Sequence, residues 1–300
     1  MDPDYAELKS DDRVVAQFLR NYHRIWQRHF PDLIKRAHWH TIVQARLAAP
    51  GEAVSCRTLH RALYGAYGTD IRTCIERIKE CEAAGFLRVV DASDRDCAAS
   101  AACFFTATDK LRDHFQRQSY ETVVEVHSVF GDHPAEGAEA IAAGDHTAHA
   151  LFGFFGAYDQ KWRDASDFVV RRKGLTTAHI DDAMNHLVTY QYWAIVMLLW
   201  VIGAFDQGAE SGTPVVVDEI ISRMWETLRL GHLAIKERVD NLIRWGFFEE
   251  RTVKKRKAVL LSSNAAQAMS RSLSETMPLL RDLYRQFLPA PGDTKAALSA

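Results

Sequence analysis

Apolar residues recur at helical spacing through most of this chain, and twice the helical run gives way to short strand-like runs. In the second half, Ile235, Val239 and Leu242 stand at i, i+4 and i+7, which predicts a helix with one apolar face. Gly246 sits where such a helix needs a left-handed cap. Two short apolar runs follow, Phe247-Phe248 and residues 258–261, with TVKKRK between them: a strand pair with a basic tip. Upstream, Pro214 opens a stretch carrying Ile220, Met224 and Leu228 at helical spacing. Helix, glycine stop, strand, basic tip, strand is the sequence form of a helix-turn-helix followed by a wing.

The first half repeats that order. Val15, Phe18, Leu19, Tyr22, Ile25 and Trp26 predict a helix over residues 11–30, ended by Pro31. A second helix is predicted over 38–49, and a third follows Ser55 as its N-cap. Thr69 or Asp70 caps a fourth, which Gly85 closes. Strands are predicted at 86–90 and 102–106 around a loop at 91–101, and a long helix at 108–127. An offset of 161 carries Val54 to Val215, Leu59 to Ile220, Leu63 to Met224 and Tyr64 to Trp225. It also carries Cys74 to Ile235, Ile78 to Val239, Cys81 to Leu242 and Gly85 to Gly246. The apolar pattern holds without a gap from Val54 to Phe86, so the chain reads as a diverged internal repeat.

The expected architecture is mainly α with small β-hairpin wings, two winged helix-turn-helix domains in tandem. The domains fall at 1–127 and 147–288, with a Gly/Ala/Pro-rich linker at 128–146 that lacks Lys and Arg, and a disordered tail at 289–300. The second domain opens on a helix at 147–170 striped by Leu151, Phe154, Phe155, Tyr158 and Trp162, and closes on one at 263–288. Both aromatic stripes, Val15 to Trp26 and Leu151 to Trp162, are too apolar to face water and should pack together or against a second chain, packing within one chain being favoured. The uncharged run of 17 residues at 189–205 is read as a buried core helix rather than a membrane span.

Composition narrows the partners. The net charge is −2, with 18 Lys+Arg against 22 Asp+Glu up to residue 150 and 19 against 17 beyond it. A chain so balanced can meet a polyanion only locally. Arg251, Lys254, Lys255, Arg256 and Lys257 place five cations in seven residues, a loop suited to a phosphate backbone. The five cysteines, Cys56 to Cys103, contain no CxxC pair and are read as reduced thiols. The acidic, polar opening is no signal peptide, and a cytoplasmic location is expected. No catalytic arrangement, cofactor or metal site emerges from spacing, His38/His40 and His146/His149 lacking companion ligands.

These motifs resemble, in tandem duplicate, the MarR family of winged helix-turn-helix transcriptional regulators. In the first copy, residues 76–111 are similar to the family's recognition helix, its terminal glycine, an Asp-Arg wing tip and the Thr-led start of the next helix. The second copy keeps helix, glycine and strand pair but has a purely basic tip. The resemblance implies double-stranded DNA as partner and transcription regulation as role. It leaves a small-molecule effector and homodimerisation open, although two readers in one chain would already form a covalent pseudo-dimer.

The candidate DNA contacts follow from the helical faces. Arg72 is the base-edge candidate on the first helix, with Thr73 and Arg77 beside it and Arg57 and Arg61 as phosphate contacts. Arg95 belongs to the first wing. On the second helix His232 and Lys236 lie outside the core stripe, Lys236 being favoured; Arg238, like Arg77, follows a Glu and has a local ion pair as its rival role. Cys74 and Cys81 are read as small buried hydrophobes in preference to a redox pair. The first wing carries three Asp against Arg95, so the second copy is expected to supply most of the salt-dependent affinity. The alternative to a non-enzymatic DNA-binding regulator is a protein-interaction scaffold with a degenerate winged-helix fold.

Overall fold

A computed structural model of the chain describes residues 3–33, 36–49, 51–67, 70–90, 103–130, 138–143, 145–187, 190–205, 214–228 and 230–288. Helices α1 (Pro3–His29) and α2 (Arg36–Leu47) lead into strand β1 (Val54–Ser55). Helices α3 (Cys56–Tyr67) and α4 (Ile71–Ala83), strands β2 (Leu87–Val90) and β3 (Phe104–Ala107) and helix α5 (Asp109–Phe130) follow. Helices α6 (Ala138–Ala143), α7 (Asp145–Arg172), α8 (Thr177–Leu187) and α9 (Tyr190–Phe205) fill the middle. Strand β4 (Val215–Val216), helices α10 (Val217–Leu228) and α11 (His232–Arg244), strands β5 (Phe248–Val253) and β6 (Arg256–Leu261) and helix α12 (Ser263–Gln286) complete the chain. The protein is mainly helical, with two small antiparallel sheets ordered β1-β3-β2 and β4-β6-β5.

The chain divides into two compact units, each drawn from two stretches. One comprises Gln17–Ala157 with Met277–Ala300 and holds the first sheet. Its strands pair Val54 with Phe105 and Leu87 with Ala107. Leu59, Leu63, Cys74, Ile78 and Cys81 are buried where helical spacing places them. Ser55 Oγ accepts from Thr58 N at 3.0 Å and caps α3, while Asp70 accepts from Thr73 N at 2.8 Å and caps α4. The two aromatic stripes meet in this unit, Phe18 edge-on to Phe154 at 5.5 Å and Tyr22 against Phe155 at 4.1 Å.

The other unit comprises Met1–Ala16 with Tyr158–Thr276. Ile220, Ile235, Val239, Leu242, Phe247 and Phe248 form its core together with Trp162, whose Nε1 donates to Leu187 O at 2.8 Å. Tyr192 to Met197, Leu199 and Trp200 of α9 are buried, as an all-round apolar helix requires. Among the described residues no helix is long and apolar enough to cross a membrane.

The two sheets share their local devices. Gly85 and Gly246 have φ of +78° and +87°. After them, Phe86 N donates to Cys81 O at 3.0 Å and Phe247 N to Leu242 O at 2.9 Å, the six-to-one bond of a glycine-terminated helix. Thr108 Oγ1 donates to Gly85 O at 2.9 Å and Ser262 Oγ to Gly246 O at 2.7 Å, so each hairpin returns to a hydroxyl that caps the next helix. Glycines match at an offset of 161 but hydroxyls at 154, because the second hairpin is shorter.

Some expectations need correction. Tyr64 and Trp225 continue the apolar pattern in sequence, yet they stand 61% and 49% exposed. The stretch read as a linker contains α6, whose Ala138, Ile141 and Ala142 are buried, with its remainder partly outside the described residues. Helix α8 was absent from the sequence reading. Residues 289–300 lie outside the described residues.

Candidate nucleic-acid interface

On α3 and α4 the inward stripe fixes which side chains face out. Arg57 and Arg61 are exposed one turn apart on α3, and Arg72 is exposed at the start of α4. Thr73 is half-buried, its N–H held by Asp70. Arg77 is different: its side chain is 12% exposed, and its guanidinium donates to Glu80 and, at 3.3 Å, to Glu76. Glu80 also accepts from His38 of α2. Burial alone would raise the Glu80 carboxyl, but the bonds from Arg77 and His38 outweigh it and bring it down to about 2. The local ion pair is therefore the role Arg77 fills in this structure. Arg95 lies outside the described residues.

The second helix shows the same division. His232, Leu233, Lys236 and Glu237 are exposed on α11. Arg238 turns inward, its Nε and Nη2 donating to Gln191 Oε1 at 2.9 and 2.6 Å and its Nη1 to Ala234 O at 2.7 Å. Arg238 thus ties α11 to α9, whereas Arg77 pairs within α4 and it is Glu80 that reaches α2. The α11 N-cap is Gly231, which gives no side-chain bond, whereas a carboxylate caps α4.

The basic hairpin is built from β5 and β6 in register, Val253 opposite Arg256, leaving Lys254-Lys255 as a two-residue turn. Both lysines have positive φ, 48° and 64°. Two consecutive left-handed residues make a type I′ turn, whose twist suits paired strands but which ordinarily uses Asn-Gly. Arg256 donates to Asp218 at 2.6 Å, and Lys257 to Asp240 at 2.8 Å and Glu250 at 3.0 Å. Arg251 bonds Glu249. The run that looks purely basic in sequence is thus matched by acids from β5, α10 and α11, and the hydrogen bond to Asp240 raises the Lys257 pKa. Lys254, Lys255 and Lys236 make no ion pair among the described residues. Exposed pairs of this kind contribute only ~0–1 kcal/mol, so Arg256 can exchange its partner for another anion at little cost.

Cys74 and Cys81 are fully buried, and burial pushes both thiols up to about 12, Cys56 adding to the effect at Cys74 and Glu80 at Cys81. A thiolate at either is disfavoured, which fits packing rather than redox chemistry. Sequence reasoning missed Leu233, 83% exposed, because a leucine on a striped helix reads as core. Its displacement from the Ile235–Val239–Leu242 stripe is the signal that would have found it. Comparison with family models, curated proteins and solved structures finds no match.

Proposed function

We propose that the protein is a non-enzymatic, DNA-binding transcriptional regulator carrying two winged helix-turn-helix modules of MarR type, with duplex DNA as its partner. The observation that carries this reading is the second hairpin: two lysines without an ion-pair partner among the described residues, held at its left-handed tip beside a helix whose N-cap, Gly231, makes no side-chain cap bond. The hairpin and Lys236 supply phosphate contacts, and Arg72 on α4 reads a base edge. In the first module Arg77 is committed to Glu80, while Arg57, Arg61 and Arg72 are exposed. Acids matching Arg251, Arg256 and Lys257 favour a second reading, an interaction scaffold that keeps the fold without reading DNA. Incubation with a random duplex pool at moderate salt, followed by sequencing of the retained fraction, separates them. The regulator should enrich a defined motif; an unenriched pool would establish the scaffold.

A further inference from the structure

Two apolar side chains of the second module face water where its helices α10 and α11 meet. Among the described residues of that unit, Trp225 and Leu233 are the large hydrophobic residues most exposed, and they lie on either side of the same turn. Trp225 faces His232 edge-on at 6.1 Å, and the exposed Leu233 follows His232 in the chain. Leu233 holds the position that Arg72 holds in the first module, the two being separated by the repeat offset of 161. The helix that carries an arginine fork in one copy therefore carries a bare isobutyl group in the other.

The charge on α11 and on the hairpin bonded to it indicates what covers the corner. Lys236 lies one turn beyond Leu233, Lys254 and Lys255 form the hairpin tip, and none of the three is ion-paired among the described residues. Lys257 ties that hairpin to α11 through Asp240. Glu237 is the exposed acid on the same face; a carboxylate there can accept from a cytosine amino group. Two side chains fall far short of the ~800 Å² that each partner contributes to a stable protein interface. A polyanion that presents isolated apolar groups fits better, and duplex DNA does so through the thymine C5-methyl in its major groove.

Resting on the DNA-binding reading above, we infer that Leu233 is a specificity-determining residue that packs on a thymine methyl, with Trp225 flanking the contact. On the same reading the first module reads guanine through Arg72, so the base steps contacted by the two modules differ.

The test uses the duplex retained in the selection, with each thymine replaced in turn by deoxyuridine, which lacks only the methyl. At one or two positions in one half-site the parent should bind about fourfold more weakly, the effect of one buried methyl. Leu233→Ala should bind the thymine and deoxyuridine duplexes alike, while Arg72→Ala should keep the fourfold difference. Leu233 is exposed, so its variant should fold as the parent does, which circular dichroism checks. A parent indifferent to every replacement, a retained motif without thymine, or a penalty that persists in Leu233→Ala overturns this inference alone. A chain that retains no duplex overturns the DNA-binding reading and this inference with it. A change of oligomeric mass in Leu233→Ala, with methyl dependence unaltered, assigns the corner to a second copy of the chain.

Discussion

His23 on α1 keeps part of its side chain near solvent, but its Nε2 is fully enclosed, and burial brings the imidazole down to about 3 from an ordinary 6.5. Between those values the unfolded chain binds the proton that the folded chain refuses. Stability is therefore intact above pH 6.5 and declines as the pH falls towards 3, by at most roughly 5 kcal/mol from this residue. His23→Phe should flatten the urea midpoint between pH 6.5 and 4; a profile parallel to the parent's would show that the ring is not held neutral. Glu80 acts in a lower window. Its carboxyl is at about 2 against an ordinary 4.5, so its contribution is present above 4.5 and is lost as the pH falls towards 2. The Glu80 side chain is 42% exposed, and solvent screening limits that contribution. Glu80→Gln should thus cost about 1 kcal/mol or less at pH 7 by thermal unfolding. A larger loss would mean that the His38–Glu80–Arg77 network acts as a unit. Cys74 and Cys81, pushed up to about 12, should resist alkylation at pH 7.5 until the chain unfolds; labelling of the native protein at either would contradict their burial.

At the scale of elements, the second hairpin sets stability against charge. A side chain in the left-handed region costs on the order of 1 kcal/mol, and Lys254 and Lys255 both occupy it where Asn-Gly would relieve the turn. Lys254→Asn with Lys255→Gly should raise the thermal midpoint by a few degrees while weakening duplex binding. A variant that gains no stability would show that the lysines are not strained; one that binds as tightly as the parent would remove the tip from the interface. The helices bearing these sites were legible in the sequence because each has a stripe and a glycine stop, Cys74–Ile78–Cys81 with Gly85 and Ile235–Val239–Leu242 with Gly246, and α4 has the Asp70 cap as well. The repeat offset aligns Val54 with Val215 but does not disclose the short edge strands they form beside β3 and β6. Exposure at helix ends was not legible either. Tyr64 and Trp225 satisfy the helical period yet project into water, because periodicity assigns a face and not the neighbour that covers it. The acids that match Arg256 and Lys257 were hidden for a related reason: Asp218 and Asp240 lie 38 and 17 residues away in the chain.

For the whole molecule, the repeat has one sheet in each of two compact units, and the division falls within α1, α7 and α12. Local pattern could not foresee this, because a stripe such as Leu151 to Trp162 identifies a buried face without indicating that one helix serves two cores. Phe154 lies in one unit and Trp162 in the other. Net charge is nearly balanced at −2, while Lys236 on α11 and Lys254 and Lys255 on the hairpin make no ion pair among the described residues. On the DNA-binding reading proposed above, electrostatic attraction to the duplex is local, and the second hairpin is expected to supply much of it. Sequence alone offers five cations of this hairpin to phosphate; the ion pairs of Arg251, Arg256 and Lys257 leave Lys254 and Lys255 as the pair without an ion-pair partner among the described residues. The most direct measurement is the equilibrium affinity for a selected duplex across a salt series, for the parent and for Lys254→Ala with Lys255→Ala. The account predicts that the double variant binds every duplex more weakly and that its slope of log affinity against log salt is flatter by about two units. Equal affinity and equal slope would contradict it and make the basic tip a solvated turn.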